Sequence, residues 1–473
     1  MTKDEELEHL RQENSELKER VAQLETLVQK LQEQAAKDSH NSSKPPSSDG
    51  FKRRTKSLRK SSGKKPGGQP GHQGHHFQRV EQADEIIVYE VRSCQHCGQD
   101  LFDQPASQPE SRQVFDVPPQ RLWVAEHRVE EKCCPHCDKL TRAVFPASVR
   151  APAQYGPGLA GLAVYLVEGH CVPFARAAQL MQEWFGIQLS AGSLPSFLKR
   201  CHHQLAEFEA QLKQALTQVP VLHQDETGMR VKQSIQWVHV ASTARLTHLQ
   251  AQVLRGCNGM QAIGIAPLFQ GTSVPDGLMS YWTFDCQHAL CNAHHLRELI
   301  FIEEELKQAW AGEMKELLLL MKKRVEEAKA QGISQLDPLT ILALCAEYDR
   351  LLEKGWKDNP PADPPQTREG SPPKKRSRKQ SAGRKLLHRL QIHKPYVLAF
   401  LHDFAVPFDN NQAERDLRML KVHQKVSGGL RTQEGIDALC RIRSYLSTLH
   451  KQGVDLCSAL QQTLSGQPVL PAF

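Results

Sequence analysis

Residues 221–227, VLHQDET, are a short apolar run that ends at an acidic residue, Asp225. A second short run, residues 271–274 (GTSV), is followed by a proline and by another acid, Asp276. Runs of this length bounded by turn residues are typical of β-strands. The sequence therefore predicts two carboxylates at the ends of two strands.

The periodicity of the sequence changes to a β pattern near residue 219. It predicts three strands, a helix and a further strand, at residues 219–224, 235–241, 247–253, 258–267 and 271–274. Three hairpin-linked strands, a helix and a fourth strand match the start of an RNase H-like α/β sheet. In that arrangement the acids that end the first and fourth strands, Asp225 and Asp276, lie side by side.

A third acid, Glu414, lies in the stretch NNQAER, residues 410–415, on a predicted helix. Carboxylates on separate elements can meet only through tertiary folding, and such oxygen ligands favour Mg²⁺ or Mn²⁺. Two ions about 3.5–4 Å apart can hold both the attacking and the leaving oxygen of a phosphodiester displacement. We therefore treat the three acids as candidate metal ligands.

Each acid also has an ordinary structural explanation. Asp225 could cap a turn, and Glu226 is a rival ligand beside it. Asp276 precedes a glycine, as in many turns. Glu414 could pair with Arg418 one helical turn away, an interaction of a few tenths of a kcal/mol. The residues alone leave these alternatives open.

Basic charge is concentrated in two segments of the 473-residue chain, which is long enough for about three domains. Residues 44–65 contain nine Lys or Arg and one acid, and residues 374–379 read KKRSRK after a proline-rich stretch. Such clusters favour nucleic acid, although they could also be solvated tethers. In the first segment we predict DNA contacts by Lys52, Arg53, Arg54, Lys64 and Lys65.

Neither a signal peptide nor an apolar run of about 18 residues is evident in the sequence. The thirteen cysteines lie in a chain with no export signal, so a disulfide framework is not expected. These features predict a cytoplasmic protein with no membrane partner.

Residues 1–36 carry a heptad repeat. At one seam position leucine recurs every seven residues: Leu10, Leu17, Leu24 and Leu31. The alternate seam position holds Leu7, Asn14, Val21 and Val28, also seven residues apart. This pattern predicts a parallel coiled coil that forms a homodimer or higher oligomer. The alternative is one amphipathic helix packed on its own domain. The following residues 37–79 are predicted to be a disordered basic linker.

Two Cys-x-x-Cys pairs lie within residues 80–150, separated by 36 residues. Each pair can place two thiolates on a tetrahedral zinc, so the four predicted ligands are Cys94, Cys97, Cys134 and Cys137. Cys133 could replace Cys134, and four free thiols in coincidental pairs are the alternative. Runs at 85–91 and 121–129 suggest a small β-rich module.

Helical patterns dominate the rest of the chain. Residues 151–217 suit helices with a break at Gly186, compatible with a helix-turn-helix whose second helix is capped by Ser190. Further helices are predicted at residues 297–331, 386–404, from 410 onward and 435–452.

Basic residues accompany Glu414 and follow its helix. They could hold the phosphates of a DNA strand or form a solvated face: Arg415, Arg418, Lys421, Lys425 and Arg431. Cys291-Asn292-Ala293-His294-His295 resembles half of a metal site, but no second half lies nearby in sequence, so we expect a packing or hydrogen-bonding role.

Several longer motifs together resemble those of insertion-sequence-66 family transposases. They are QDET (224–227), DGLMSY (276–281), CNAHHLREL (291–299), PFDNNQAER (407–415), NSSKPPSSD (41–49) and the two cysteine pairs. The resemblance runs almost end to end. It implies an RNase H-like domain with a DDE triad, Asp225, Asp276 and Glu414, and a mostly helical insertion before the glutamate. It also implies Mg²⁺-dependent transposition of a bacterial insertion sequence by a nucleoid-associated enzyme, and it carries over a CxxH motif, Cys291 and His294.

We therefore expect a multidomain protein: a coiled coil (1–36), a linker (37–79), a β-rich zinc-binding module (80–150), a helical region (151–217), an RNase H-like catalytic domain (218–430, with a helical insertion at about 297–385) and a C-terminal helical region (431–473). It would bind the element's terminal inverted repeats and cut and join DNA, with structural Zn²⁺ and with Mg²⁺ or Mn²⁺. The sequence leaves open whether accessory proteins take part. The alternatives are a non-catalytic zinc-containing DNA-binding regulator and another RNase H-like nuclease.

Overall fold

The structure, a computed structural model, describes residues 3–38, 40–42, 79–105, 111–117, 122–360 and 381–473. The five basic residues predicted to contact DNA between Lys52 and Lys65, and the basic run at 374–379, lie outside the described residues. The chain divides into a larger unit, Met1–Lys56, Glu126–Glu183 and Ile187–Phe473, and a smaller one, Ser57–Ala125 and Trp184–Gly186.

The heptad segment forms one long helix, α1, Lys3–Ala36. The four seam leucines Leu10, Leu17, Leu24 and Leu31 are between 54% and 58% exposed in the single chain. The seam therefore is not packed on the helix's own unit, contrary to the alternative of a self-packed amphipathic helix.

Regular strands are short around the second cysteine pair. β1, Glu131–Cys133, and β2, Leu140–Arg142, pair antiparallel with Lys132 opposite Thr141. The prediction of strands at 85–91 and 121–129 is wrong for the described residues, because residues 85–91 and 122–129 have no strand partner there. Without a paired neighbour, an apolar run cannot complete a β-ladder.

Between β2 and the main sheet, the described residues form four α-helices: α2 Pro157–Val164, α3 Phe174–Phe185, α4 Ser193–Gln204 and α5 Ala206–Thr217. A π-helical turn, Tyr165–Gly169, continues α2. Gly186 has φ 67° and follows α3, as the sequence predicted for the break. The predicted cap is wrong: the N-cap of α4 is Gly192. Instead, the carbonyl oxygen of Ser190 accepts a hydrogen bond from the backbone N–H of Ser193, and the helix begins only at Ser193.

The larger unit is built around a mixed five-stranded sheet. Its strands are β3 Val221–Val231, β4 Ser234–Ser242, β5 Thr247–Gln252, β6 Thr272–Val274 and β7 Gln287–His288. The spatial order is β5-β4-β3-β6-β7. The first three strands are antiparallel, whereas β6 runs parallel to β3 and β7 parallel to β6. One helix, α6, Cys257–Ile263, connects β5 towards β6.

β3 is longer than the sequence predicted, so Asp225 lies inside a strand and does not end one. β3 pairs with β6 only as far as His223 opposite Val274, but it pairs with β4 as far as Val231. Pairing with β4 extends β3 through a polar stretch whose sequence lacks the alternating apolar pattern of a strand. β7, with two residues, was not predicted.

Between β7 and Glu414 the described residues are mainly helical. The helices are α7 Asn292–Glu304, α8 Ala309–Ala330, α9 Pro338–Asp358, α10 Ala382–Ile392, α11 Lys394–Val397 and α12 Ala399–His402. The single helix predicted at 386–404 is thus three helices. α13 Asn411–Val426, α14 Gln433–Lys451 and α15 Leu456–Leu464 complete the chain.

Two apolar cores connect these layers. Met229, Val240 and Leu249 of the sheet pack with residues of α13 and α14, such as Leu417 and Leu439. The helices α7–α12 form the second core, which also contains Val274 and Phe408, just before Asp276 and α13. The second core therefore anchors the segments that carry two of the three acids. None of the described helices combines the length and apolar composition that a bilayer span requires.

Candidate active site

The parallel pairing of β3 and β6 brings the first two acids to the same point of the sheet. His223 lies opposite Val274, an offset of 51 residues, and the same offset separates Asp225 from Asp276. The buried Ser273 hydroxyl donates to Gln224 Oε1 at 2.5 Å and fastens the two strands. Because β6 ends at Val274, β3 has no parallel neighbour beside Asp225.

The electrostatic environment of Asp225 is that of a carboxyl surrounded by acids. Burial, first of all, and the charges of Asp276, Glu226 and Glu414 together raise the pKa of Asp225 from 3.8 to about 8. The backbone N–H of Glu226, which donates to Asp225 Oδ1 at 2.7 Å, partly opposes this. The charges of Asp276 and Glu414 thus both act on Asp225 through space.

Glu414 lies in the first turn of α13 and is one third exposed. Its Oε1 is 3.5 Å from Arg297 Nη2 and 3.9 Å from His294 Nε2. Both partners belong to α7, so in the described part of the chain Glu414 pairs across helices and not with Arg418. The local i, i+4 explanation for Glu414 is therefore wrong.

Glu226 is occupied by other groups and does not compete with Asp225. Its side chain is 1% exposed. Arg255 donates to Oε1 through Nε at 3.0 Å and Nη2 at 2.9 Å, and the Tyr281 hydroxyl donates to Oε2 at 3.2 Å. Arg255 also lies over the Trp237 ring, 4.3 Å from its centroid. These contacts give Glu226 a structural position behind Asp225.

Asn410, the residue before α13, joins the elements that carry the acids. It is fully buried. Its Nδ2 donates to the carbonyl of Gln224 at 2.7 Å, and its Oδ1 is 2.9 Å from His223 Nδ1. Its backbone N–H donates to Cys291 Sγ at 3.1 Å. One side chain and its peptide therefore tie β3, the start of α7 and the start of α13 together.

The basic residues predicted to hold phosphate are exposed along α13 and after it. Arg415, Arg418, Lys421, Lys425 and Arg431 all face solvent. Lys421 also donates to the carbonyl of Gly228 at 2.8 Å, and burial lowers its pKa. Four of the five are thus presented on the helix that carries Glu414.

Each cysteine pair adopts the same turn in its own unit. The Cys94 N–H donates to the Gln99 carbonyl at 2.8 Å, and the Cys134 N–H to the Lys139 carbonyl at 2.9 Å. Backbone N–H groups of His96 and Cys97 lower the pKa of Cys94, and those of His136 and Cys137 lower that of Cys134. Amide donors of this kind stabilise thiolates, the form that binds metal. Cys134, and not Cys133, therefore occupies the position equivalent to Cys94.

Family models match most of the chain. Residues 152–438 match the transposase IS66 family. The chain belongs to this family. Residues 92–138 match the zinc-finger binding domain of transposase IS66, and residues 2–78 match a family of unknown function (DUF6444). Among the curated proteins, none matches the chain.

The family matches cover both sets of candidate ligands. The transposase match includes Asp225, Asp276 and Glu414, and it supports the use of a divalent metal by this transposase. The zinc-finger match includes all four predicted cysteines, which supports structural zinc.

The sequence did not reveal the residues that support the acids. Asn410, Arg297 and Tyr281 each lie inside a quoted motif, but nothing in their local pattern indicates a contact with an acid far away in the chain. For Asn410, the only sequence feature that could have indicated a role near the acids is its position at the start of the helix that carries Glu414.

Proposed function

We propose that this transposase cleaves and joins DNA in a metal-dependent reaction, with Asp225, Asp276 and Glu414 as the catalytic acids. The observation that supports the proposal is the parallel pairing of β3 with β6, whose last pair, His223 opposite Val274, lies two residues before both Asp225 and Asp276. Glu414 adds its charge to the same place from α13.

The sheet supports an RNase H-like catalytic domain. Three antiparallel strands in sequence order are followed by two parallel ones on the other side of β3. The helices α7–α12 lie between the second acid and the third, as a helical insertion would. This is the arrangement that the order of the sequence motifs predicted.

The donor set fits a hard divalent cation. The charges that raise the pKa of Asp225 are those of Asp276, Glu226 and Glu414, so a bound divalent cation would offset their repulsion. Carboxylate oxygens are ligands that Mg²⁺ and Mn²⁺ favour. When bound there, the metal would supply Lewis acidity at the scissile phosphate.

The protein's own residues would orient the reactants. Asp225, within β3, and Asp276, two residues after the end of β6, would hold the metal that positions the phosphate. Glu414 would complete the site from α13, with Arg297 holding its carboxylate. Glu226 would keep Arg255 and Tyr281 packed behind Asp225. Positioning of this kind supplies a large part of the barrier reduction in phosphoryl transfer.

Exposed basic residues would hold the DNA backbone beside the acids. Arg415, Arg418 and Lys425 are free of the backbone contact that Lys421 makes, so they would bind phosphate most directly. Arg431, the helices α3 and α4, the zinc finger and the basic linker would extend the contact to the terminal inverted repeats. The exposed leucine seam of α1 would pair two or more copies.

Substitution of each acid tests the proposal. Asp225→Asn, Asp276→Asn and Glu414→Gln should each reduce Mg²⁺-dependent cleavage and strand joining to background while binding of the end DNA persists. Asp285→Asn is the matched control, because this exposed acid lies on the same segment as Asp276 but outside the cluster.

The substrate is a duplex that carries the element's terminal inverted repeats. Full joining by any of the three variants would remove that residue from the site. Binding without any metal-dependent cleavage by the unmodified protein would favour a DNA-binding regulator, and cutting of branched DNA irrespective of end sequence would favour another nuclease.

A further inference from the structure

A second group of metal-ligand atoms lies beside the three acids. Cys291, His294 and Glu414 each present one donor atom, and these atoms lie within 4.8 Å of one another. Cys291 and His294 are three residues apart at the start of α7, whereas Glu414 comes from α13. The half-site recognised in the sequence therefore has a second half, supplied 120 residues after His294.

The sulfur of Cys291 is surrounded by backbone donors. Cys291 is the N-cap of α7, and the N–H groups of Ala293 and His294 point to its side chain. The N–H of Asn410 donates to Sγ at 3.1 Å from the other helix. Burial raises the pKa of the Cys291 thiol to about 12, and these amide donors only partly oppose that, so a bound cation would have to displace the thiol proton.

His294 has a nitrogen without a partner. Its side chain is 18% exposed, its Nε2 is 3.9 Å from Glu414 Oε1, and its Nδ1 is buried without a hydrogen-bond partner. The charge of Asp276 also acts on this imidazole, so His294 borders the acid cluster.

We propose that Cys291, His294 and Glu414 bind a borderline-soft divalent cation of the Zn²⁺ class, at a site separate from the zinc finger. A thiolate, an imidazole and a carboxylate are the three ligand types that zinc accepts. Magnesium and manganese favour oxygen ligands, so the cysteine and the histidine distinguish this site from the three-acid cluster. Three protein ligands leave a fourth position open for water.

Only a small rearrangement is needed to close the site. Ligand atoms on a tetrahedral zinc are roughly 3.3–3.7 Å apart, given bonds of about 2.0–2.3 Å. The observed donors lie within 4.8 Å of one another, so they would have to approach by about 1 Å. The carboxylate of Glu414, which Arg297 holds, would connect this site to the acid cluster.

The zinc content of the full-length protein tests the proposal without any DNA substrate, so it does not depend on cleavage activity. The metal-stripped protein is loaded with ZnCl₂ alone, passed through gel filtration and assayed for zinc per chain. We expect Cys291→Ser and His294→Ala each to hold one zinc fewer than the unmodified chain. Cys97→Ser with Cys137→Ser should also remove one, and combining it with His294→Ala should remove both.

Two controls isolate the site. Cys345→Ser and His388→Gln remove a half-buried thiol and an exposed imidazole elsewhere in the insertion, and they should leave the zinc content unchanged. Co²⁺ replaces Zn²⁺ in a parallel measurement, in which the thiolate-to-cobalt absorption of the finger-deficient chain should disappear on Cys291→Ser. Equal zinc content in the unmodified chain, Cys291→Ser and His294→Ala would overturn the proposal. A cobalt absorption that survives Cys291→Ser would overturn it as well.

Discussion

Replacing Asp225 with asparagine should stabilise the protein in the absence of Mg²⁺, although the same change should abolish cleavage. The carboxyl has a pKa of about 8 in the folded protein against an ordinary value of 3.8. It is therefore neutral in the folded state and ionised in the unfolded chain at pH 7. Asparagine imitates the neutral form and removes the cost of protonation.

The size of the effect follows from the two pKa values. One pKa unit corresponds to about 1.4 kcal/mol, so protonating the buried carboxyl costs about 4 kcal/mol at pH 7 and about 2 kcal/mol at pH 5. An acid whose pKa is raised by folding destabilises the folded protein increasingly as the pH rises from the acid's pKa in the unfolded chain to its pKa in the folded protein. The advantage of Asp225→Asn should thus be absent below about pH 4 and greatest above about pH 8.

Calorimetry between pH 5 and pH 8.5, without Mg²⁺ and with the zinc finger loaded, measures this difference. The larger unit of Asp225→Asn should melt roughly 5–10 °C above the unmodified chain at pH 7. Mg²⁺ should raise the melting temperature of the unmodified chain and not that of the variant, because the cation binds the ionised acid. Asp285→Asn should change neither. A variant that melts at or below the unmodified chain at pH 8, or a difference independent of pH, would refute the electrostatic reasoning.

Three further substitutions test the supports of the site and the oligomer. Asn410→Ala should leave buried hydrogen-bond partners unpaired, which should lower the free energy of unfolding by about 1–3 kcal/mol and cleavage about 10–100-fold. The same change at its exposed neighbour, Asn411→Ala, should have little effect in the same melting and cleavage assays. Gly277, which follows Asp276, has φ 102°, and a Cβ added there would make only an ordinary contact with Leu290 Cδ2 at 3.8 Å. Gly277→Ala should therefore act through backbone strain of about 1–3 kcal/mol and slow cleavage about 10²-fold by displacing Asp276; a kinetically normal variant would contradict this role. The double variant Leu17→Lys, Leu24→Lys should sediment with the mass of one chain, whereas Gln12→Lys, on the opposite side of α1, should keep the mass of the unmodified protein. An unchanged mass for the double variant would exclude the leucine seam as the interface.

Local sequence signals were sufficient for most of the sheet. The strands predicted at 235–241 and 247–253 correspond to β4 and β5, because alternating and β-branched residues report a half-buried strand directly. The extension of β3 past Asp225 carries no such signal. It depends on pairing with β4, an interaction that a single segment of sequence does not encode.

The partners of Glu414 depend even more on tertiary structure. The helical spacing of Glu414 and Arg418 suggests a local ion pair, whereas Arg297 and His294 approach from α7. The same tertiary packing brings Glu414 close to Cys291 and His294. For this reason the sequence showed only the Cys291–His294 half of this group of metal-ligand atoms. Contacts between distant segments require the packing of α7 against the start of α13, which Asn410 and Cys291 fix.

The most direct test of the central claim is a crystal structure of the protein with Mn²⁺ and end DNA, with the ions located by anomalous scattering. The account predicts a peak bonded to carboxylate oxygens of both Asp225 and Asp276, at the roughly 2–2.6 Å typical of metal–oxygen bonds, with Glu414 adjoining the same site. Anomalous peaks elsewhere, with Asp225 and Asp276 holding no ion beside the scissile phosphate, would contradict it.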